Sequence, residues 1–484
     1  MSRIVVGPFN RVEGDLEVDL EVEDGRVVSA RVGVPLYRGF EQILVGRPVE
    51  DALVIAPRIC GICSVSQSLA AAAAIAAFSG VTAPANGRLA AALAHGAENV
   101  ADHLSHFYLF FMPDFAREAY ADRPWWGAVE TRFRAIRGSA GNAFLKVRAR
   151  LLEILGLVAG KWPHSLALRA GGTTRSLDLG ERMRLKAVLA DARGFCEAVL
   201  FAMPLDAVIA LESRADLDRV AAAGGSDFAT FLRLADELRL SELGPGPGTV
   251  MSFGAYAGGG ADGAPLFPAG VVETASGHGA ALEIGRIEED PASAWLAGEV
   301  SEPAKGVTAP DLDREGAYGW AKAPRYDGRT VEVGAIARQL IDGSALARAL
   351  VVPGGRTNVA ARVVARLVET ARVLVAMERW VGAFEKGAPF CVEGGMPSDG
   401  SGIGLVEAAR GSLGHWMTVR SGRITRYQIV APTTWNFSPR DGAGVPGPLE
   451  RALEGIEVGA AGGAAPAIQH VVRSFDPCMV CTAH

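Results

Sequence analysis

The sequence predicts an α+β protein that is mainly helical, with a long central helix bundle, an N-terminal antiparallel β-hairpin region and small peripheral sheets. Three observations indicate this class. Residues 15–22 alternate between apolar and acidic side chains, several long segments repeat apolar residues at helical spacing, and residues 420–430 have the pattern of a hairpin. Strand-like and helix-like periods in separate segments are typical of α+β folds.

The β prediction begins near the N-terminus. One side of the predicted strand is apolar and the other is acidic, as expected for a half-buried strand: Leu16, Val18, Leu20 and Val22 alternate with Asp15, Glu17, Asp19 and Glu21. Asp24 and Gly25 form a tight-turn signal before the segment VVSARVGV, which predicts a hairpin. The segment RSGRITRYQIV (420–430) predicts a second hairpin.

The helix prediction begins near residue 60, where the spacing of apolar residues changes. Apolar residues three and four apart line one face of a helix, and such faces pack together to form a core. Three stripes have this spacing: Leu89, Leu93, Val100, Leu104, Phe107 and Phe111; Leu185, Val188, Leu189, Phe195, Val199 and Leu200; and Val364, Leu367, Val368, Ala371, Leu374 and Val375.

The chain is predicted to form one domain over residues 1–484. Its expected regions follow the change of pattern along the chain: an N-terminal β region (1–55), a helical core (56–240 and 340–390), a loop-rich insertion (240–340) and a β-containing C-terminal region (391–484).

Composition limits the possible functions. The chain is 49% hydrophobic and 21% charged and carries a net charge of −6, so it lacks the basic surface of a nucleic-acid-binding protein. The N-terminus shows no basic region followed by an apolar run, and the apolar segment LAAAAAIAAF (69–78) is too short to span a bilayer. We therefore expect a cytoplasmic protein with no direct membrane span.

Cysteine spacing gives the strongest chemical signal. Four of the six cysteines form two C-x-x-C pairs, Cys60 with Cys63 and Cys478 with Cys481. A single pair could be a redox dithiol or chance, whereas two pairs indicate one four-sulfur site, for zinc or an iron–sulfur cluster. The first pair begins an Ala-rich, apolar helix, unlike the small polar knuckles of structural zinc sites.

Both pairs lie in motifs that resemble those of nickel-iron hydrogenase large subunits. The motifs RICGIC and DPCMVCTAH lie near opposite ends of the chain, and five further segments follow the family's order: RVEG (11–14), RGFE (38–41), DHLSHFY (102–108), RGSLGHW (410–416) and PTTWN (432–436). The resemblance therefore covers the whole chain. It implies that the C-terminus is buried at the metal site.

The resemblance also implies a cofactor and its ligands. Cys60, Cys63, Cys478 and Cys481 would bind nickel, and Cys63 and Cys481 would bridge it to an iron that carries CO and two cyanides, a Ni-Fe(CO)(CN)2 centre. Soft thiolates suit nickel. The thiolate of Cys478 would accept the proton from H2, and Glu13 would pass it on; without the motif, Glu13 would be taken as a solvated carboxylate.

Further site residues follow from the same motifs. Arg410 would lie over the open coordination position, held by Asp102 and Asp476; the alternatives are a surface ion pair and, for Asp476, a turn residue before Pro477. Arg410 and Thr433 would donate hydrogen bonds to the cyanides.

A second ion is implied beside the centre. Glu41, His484 and the backbone carbonyl of Ile429 would bind Mg²⁺, or iron or zinc because histidine is an unusual magnesium ligand. His103, His106 and His415 are interpreted as core histidines and Cys196 as a buried thiol, and Cys391 receives no role.

Two departures from the family pattern bear on function. Gln67 stands four residues after Cys63, where most members have histidine, so this site near the cofactor lacks a group that titrates near neutral pH. Residue 409 is Ala where the family usually has Pro, so the backbone beside Arg410 is expected to be less fixed.

The same features suggest a role in sensing. Gln67 and its SVSQS context resemble the H2-sensing subgroup, and a chain that ends at the terminal histidine, His484, is typical of that subgroup. We therefore expect an H2 sensor. The alternatives are a respiratory uptake hydrogenase in mature form and, from another class, a non-catalytic zinc protein.

The expected partners follow from the chemistry of H2 oxidation. The chain has no spare cysteine set for an electron relay, so an iron–sulfur small subunit is expected in an obligate heterodimer. The sensor prediction adds a dimer of heterodimers and a histidine kinase.

Overall fold

The structure is a computed structural model and describes residues 2–260, 264–352, 354–458 and 465–484. Long helices form its centre and small antiparallel sheets lie around them, which confirms the predicted fold class. No helix among these described residues is long and apolar enough to cross a membrane.

Two three-stranded sheets flank the metal-binding segments. The first has the order β1–β2–β3, and its β2–β3 pair is the predicted N-terminal hairpin; the strands are β1 (Ser2–Val6), β2 (Glu17–Glu23) and β3 (Arg26–Gly33). The second has the order β11–β12–β13 and contains the predicted hairpin near residue 420. Its strands are longer than that prediction: β11 (Gly400–Ala408), β12 (Gly411–Arg420) and β13 (Arg423–Val430).

Shorter strands form the remaining sheets. Strand β4 pairs with β5, β7 pairs with both β6 and β8, and β9 pairs with β10. Their bounds are β4 (Leu168–Arg169), β5 (Gly172–Thr173), β6 (Thr249–Ser252), β7 (Gly270–Glu273), β8 (His278–Ala280), β9 (Ile287–Asp290) and β10 (Ala323–Tyr326).

The helices divide into long central ones and short connectors. The long ones are α3 (Ser64–Ser79), α4 (Ala85–Ser105), α6 (Ser139–Ala159), α7 (Leu179–Phe195) and α13 (Val359–Gly382). The others are α1 (Phe40–Leu44), α2 (Ala52–Ile55), α5 (Trp126–Phe133), α8 (Leu205–Ile209), α9 (Arg214–Ala223), α10 (Asp227–Glu237), α11 (Ala335–Ile341), α12 (Ala345–Leu350), α14 (Pro432–Asn436), α15 (Pro448–Leu453) and α16 (Pro466–Ser474).

The three predicted apolar stripes lie on α4, α7 and α13. Helix α13 packs against both α4 and α7, and the stripe residues Leu93, Val100 and Leu367 are fully buried. Both α4 and α7 continue into wider π-helical turns, His106–Phe111 and Cys196–Phe201. The stripes therefore meet in one core, as the period predicted.

The C-terminal segment after α16 is threaded into this core. Residues 475–479 and 481–484 are buried. The amide of Met479 donates to the carbonyl of Glu13 over 2.7 Å, so the tail pairs in parallel with the N-terminal RVEG segment.

The boundaries of the predicted regions stay a prediction. Two of these regions can nevertheless be described by the elements that they contain. Strands β1–β3 lie in the N-terminal region, which also contains α1 and α2, and strands β6–β10 lie within residues 240–340.

Candidate metal centre

The two cysteine pairs meet in the interior, although they are separated by most of the chain. The Cys60 and Cys478 sulfurs lie 3.5 Å apart, the Cys63 and Cys481 sulfurs 3.2 Å apart, and the Cys478 and Cys481 sulfurs 3.3 Å apart. All four sulfurs lie within 4.8 Å of one another, and all four side chains are buried. The predicted four-sulfur cluster is therefore present.

The first pair is presented at the start of α3. A 3₁₀ turn, Ala56–Ile59, ends at Cys60, whose backbone is extended, and Cys63 is the N-cap residue of α3. The side chain of Cys63 makes no capping hydrogen bond. The carboxyl of Glu98 instead accepts the amides of Val65 and Ser66 over 2.8 and 2.9 Å. A distant side chain thus caps the helix, so the sulfur of Cys63 can point into the cluster.

Backbone contacts hold the tail pair against the first pair. Residues Met479–Cys481 form a 3₁₀ turn, in which the amide of Cys481 donates to the carbonyl of Cys478 over 3.0 Å. Arg38 donates from one nitrogen to the carbonyls of Ile59 and Val480, each over 2.6 Å. Because these carbonyls adjoin Cys60 and Cys481, Arg38 joins the two metal-binding segments directly.

Crowding changes how readily each thiol ionises. The pKa of Cys60 is lowered well below its usual value because Cys478, Cys481 and Cys63 donate to its sulfur. The same contacts, together with burial, raise the pKa of Cys63 and of Cys481 well above the usual value. The four sulfurs can become thiolates together only when a cation compensates their charge, so this donor set fits a soft metal centre.

Arg410 lies at the centre of a buried ion-pair cluster. Its guanidinium donates to both carboxyl oxygens of Asp102 over 2.6 and 3.1 Å, and to a carboxyl oxygen of Asp476 over 3.2 Å. Its Nε also donates to the carbonyl of Asp476 over 2.9 Å. Burial lowers the pKa of Arg410. The negative charges of Asp102, Asp476 and Cys478 raise this pKa by more than burial lowers it, so the guanidinium stays charged.

Glu13 lies between the cluster and the outside. It is half-buried, and its backbone pairs with Cys478. Burial and the nearby Cys60 raise the pKa of its carboxyl, and the charges of Arg410 and Arg38 oppose this increase. A carboxyl with a raised pKa beside a thiol can exchange a proton with that thiol.

Polar atoms without partners also fit a cofactor. Among the described residues, the hydroxyl of Thr433 and the side-chain amide nitrogen of Gln67 are buried without a hydrogen-bond partner. Thr433 lies on α14, whose Thr434 donates to the carbonyl of Thr482 in the tail over 2.8 Å. Each of these two donors could form a hydrogen bond to a group that carries acceptors.

Gln67 is fixed by a histidine. Its carbonyl oxygen lies 2.8 Å from Nε2 of His415, whose Nδ1 lies 2.8 Å from the hydroxyl of Tyr427. Burial lowers the pKa of His415 to about 3, so this ring stays neutral. His103, His106, His415 and Cys196 are all buried, as predicted.

The other predicted ion ligands also lie together. Nε2 of His484 lies 2.9 Å from the carbonyl of Ile429 and 3.6 Å from a carboxyl oxygen of Glu41. That carboxyl accepts the amide of Ile429 over 2.7 Å. Burial raises the pKa of Glu41, but His484 and Lys322, which line the same cavity, more than offset this effect and lower the pKa.

Sequence reasoning missed the residues that support these ligands. Three such residues lie outside the two cysteine motifs, and their spacing does not resemble that of metal ligands: Glu98, Arg38 and Arg338. Each forms hydrogen bonds to a segment next to a site residue. Arg38 and Glu98 lie within or just before quoted motifs, but their spacing does not reveal which distant amides or carbonyls they contact.

Comparison with known proteins identifies the family. The family described as nickel-dependent hydrogenase matches residues 38–121 and 142–484. The periplasmic NiFeSe hydrogenase large subunit of Desulfomicrobium baculatum is 29% identical, covering 100% of this chain and 95% of that one. Hydrogenase-2 large chain of Escherichia coli (strain K12) is 26% identical, with coverages of 100% and 97%.

Solved structures agree with this match. The reduced Ni-Fe-Se hydrogenase from D. vulgaris Hildenborough superposes with a TM-score of 0.84 at 29% identity, and the alignment covers 100% of both chains. A reduced, active Ni-Fe-Se hydrogenase from Desulfomicrobium baculatum gives a TM-score of 0.85 at 27% identity, again over 100% of both chains.

The chain belongs to the nickel-dependent hydrogenase family. Within it, the buried four-cysteine cluster and the similarity along the whole length identify a catalytic large subunit, an oxidoreductase that acts on H2. This result favours a nickel–iron centre over structural zinc.

Proposed function

We propose that this chain cleaves H2 into two protons and two electrons at a nickel–iron centre held by Cys60, Cys63, Cys478 and Cys481. The observation that carries this proposal is the convergence of the four sulfurs within 4.8 Å, in a chain matched by the hydrogenase family along most of its length. A bound nickel–iron centre with CO and cyanide ligands would supply the Lewis acidity and the electron storage for heterolytic cleavage.

Two residues of this chain would accept and transfer the proton that heterolytic cleavage releases. Cys478 accepts it at its sulfur, because a thiolate beside the reacting position is a base in a site that excludes water. Glu13 receives it next: its backbone is paired with Cys478, so the carboxyl is held beside the tail. The raised pKa of Glu13 favours its protonated form relative to an exposed carboxyl, and its partial exposure lets it release the proton towards the outside.

Arg410 and Thr433 would orient the cofactor. The guanidinium is fixed by Asp102 and Asp476 before any substrate arrives, so its charge needs no rearrangement during the reaction. The unpartnered hydroxyl of Thr433 would donate to an acceptor on the iron.

Infrared spectroscopy of the purified protein tests this function. Bands of CO and cyanide, nickel and iron in near-equal amounts, and band shifts under H2 are expected. Zinc in place of nickel, with no such bands, would disprove the proposal.

Electrons must leave through a partner. In the described part of the chain, one group of cysteines could hold a metal ion, and Cys196 and Cys391 lie outside it. We therefore propose an obligate heterodimer with an iron–sulfur small subunit. Purification through a tag on this chain, followed by iron and sulfide analysis, is expected to recover that partner.

The biological role proposed for this centre is H2 sensing. Gln67 supports it: this neutral residue is held by the neutral pair His415 and Tyr427, so no group here titrates near pH 7. A sensor needs occupancy by H2 rather than high turnover. Binding of the heterodimer to a histidine kinase, and pairing of two heterodimers, are expected together with slow H2-dependent dye reduction.

Uptake of H2 for respiration is the second candidate. It is favoured by relatives such as the quinone-reactive Ni/Fe-hydrogenase large chain of Wolinella succinogenes, which is 26% identical and covers 100% of this chain and 96% of that one. Fast H2-dependent quinone reduction, with no kinase bound, would select this role. Cell fractionation distinguishes the proposed cytoplasmic location from a periplasmic one.

A divalent cation is proposed at Glu41, Ile429 and His484. Their carboxylate, carbonyl and imidazole converge near the tail, and oxygen ligands suit Mg²⁺. Metal analysis of protein that retains its nickel and iron is expected to find one further ion per chain, and a Glu41→Gln variant is expected to lose it.

A further inference from the structure

The turn that carries Arg410 is buried, although it is the tip of a hairpin. Strand β11 ends at Ala408 and β12 begins at Gly411, and these two residues face each other, so Ala409 and Arg410 form a two-residue turn. Both turn residues are 4% exposed. Hairpin tips normally lie in water, so the carbonyls of this one need partners inside the protein.

Arg338 supplies those partners. Its Nη1 donates to the carbonyl of Ala408 and its Nη2 to the carbonyl of Ala409, each over 3.1 Å. Arg338 lies on the short helix α11 and is completely buried. One guanidinium therefore binds two consecutive carbonyls. The second carbonyl is part of the peptide bond between Ala409 and Arg410.

Two carboxylates fix Arg338 in turn. Glu369 accepts from Nε over 2.9 Å and from Nη2 over 2.7 Å, and Glu407 accepts from Nη1 over 2.6 Å. With the two carbonyls, these bonds use all five N–H groups of the guanidinium. Burial lowers the pKa of Arg338, but Glu369 and Glu407 more than offset it, so the charge is retained.

The same network reaches the partner of Arg410. Glu369 lies 3.1 Å from Nε2 of His103, which directly follows Asp102 on α4. Asp102 makes the two-bonded ion pair with Arg410. The Arg338 network therefore contacts both sides of this pair: the backbone of Arg410 and the residue next to Asp102.

We infer that Arg338 is a positioning residue that sets the place of the Arg410 guanidinium at the metal centre. The inference rests on the proposed function for the role of Arg410, but its geometry is independent of it. The inference also bears on the expectation that the backbone beside Arg410 is less fixed because Ala409 replaces the family's usual proline. Arg338 holds this backbone by donating to the carbonyls of Ala408 and Ala409. A lysine could not replace the fork, since one ammonium cannot bind four separate groups in this plane.

The decisive variant is Arg338→Lys in the full heterodimer. We expect nickel and iron contents to stay unchanged, the infrared bands of CO and cyanide to shift, and H/D exchange to fall by about 10- to 100-fold, because a small displacement of Arg410 is costly. A crystal structure is expected to show altered Arg410–Asp102 distances.

Arg325→Lys is the matched control. Arg325 is also a buried arginine, and it donates to Asp441 and to the carbonyl of Val445, both away from the turn. Its variant is expected to lose thermal stability but to keep the infrared bands and the exchange rate.

A rescue experiment separates positioning from general stability. In the Arg338→Lys, Ala409→Pro double variant, the ring restricts the turn backbone, so the infrared bands and exchange are expected to return towards wild type. If Arg338→Lys does not fold, Glu369→Gln replaces it, because this change removes an anchor of Arg338 while keeping the size of the side chain.

The outcomes distinguish the two proposals. Wild-type protein without H/D exchange or CO bands contradicts the proposed function. Active wild-type protein whose Arg338→Lys and Glu369→Gln variants keep the wild-type bands, exchange and Arg410–Asp102 geometry contradicts the positioning role, as does a double variant with no recovery.

Discussion

The four-cysteine cluster and the Glu41–Ile429–His484 cluster lie beside the same buried tail, but different forces hold them together. The four sulfurs lie within 4.8 Å, where burial and mutual contacts raise the pKa of Cys63 and Cys481. Two thiolates about 4 Å apart repel by about 4 kcal/mol at an effective dielectric constant of about 20. The ionised cluster therefore depends on a cation.

The second cluster already has internal partners. The amide of Ile429 donates to Glu41, and the two ring nitrogens of His484 lie 2.9 and 3.0 Å from the carbonyls of Ile429 and Cys481. Through these contacts, the side chains of Glu41 and His484 connect the C-terminal segment to strand β13. The comparison indicates that the first cluster is built for a metal, whereas the second also holds the chain terminus.

The largest effect is expected from Cys478→Ser. The change removes a thiolate from the cation-dependent cluster, so nickel binding and H2 activation are expected to be abolished. Metal analysis and H2-dependent dye reduction measure this. Cys391→Ser is the control, because that thiol lies outside the cluster; retained H2 activity in the Cys478 variant would refute its assigned role.

A Glu13→Gln variant tests whether the carboxyl of Glu13 transfers protons and is not needed for metal binding. Nickel and iron are expected to remain bound, and H/D exchange is expected to slow by about 100-fold, since general acid–base groups contribute this much. The exposed Glu17 on β2 provides the control Glu17→Gln. Unchanged exchange would remove Glu13 from the proton path.

Replacement of His484 by Ala tests the second cluster. It removes the contacts to Ile429 and Cys481, so the free energy of unfolding is expected to fall by about 1–3 kcal/mol. Chemical denaturation measures the change, with the exposed His278→Ala as the control. If metal-free protein shows no loss, the tail is not held by this histidine.

His106→Gln tests the effect of burial on a histidine that belongs to neither cluster, although the charges of Asp476 and Arg410 also act on it. Burial lowers the pKa of His106 to about 3, so the folded state binds fewer protons than the unfolded state between that pH and the usual histidine pKa. Stability is therefore lost as pH falls below about 6.5. The variant is expected to reduce this loss by about 1 kcal/mol between about pH 7 and 5.5, measured by denaturation at each pH. Parallel pH profiles would contradict this account.

The sequence could predict elements whose pattern is local. Alternation over 15–22 specified β2, and apolar spacing specified α4, α7 and α13, because each element buries one face. The C-x-x-C pairs predicted a shared site since thiol ligands occur at fixed spacing.

Support for the site could not be predicted in the same way. Glu98 caps a helix that begins more than thirty residues before it, and Arg338 holds a turn some seventy residues after it. Such contacts depend on how α4 packs against α3 and on where α11 places Arg338 relative to the turn between β11 and β12. No local period encodes a single buried carboxylate or guanidinium, so tertiary packing decides its partner.

The pairing of the tail with Glu13 has a consequence for assembly. Because residues 475–479 and 481–484 are buried, separating this segment from Glu13 would move Cys478 and Cys481 away from Cys60 and Cys63. The four-sulfur site is therefore complete only while the segment is paired, and the resistance of residues 475–484 to proteolysis is expected to depend on whether the centre is bound.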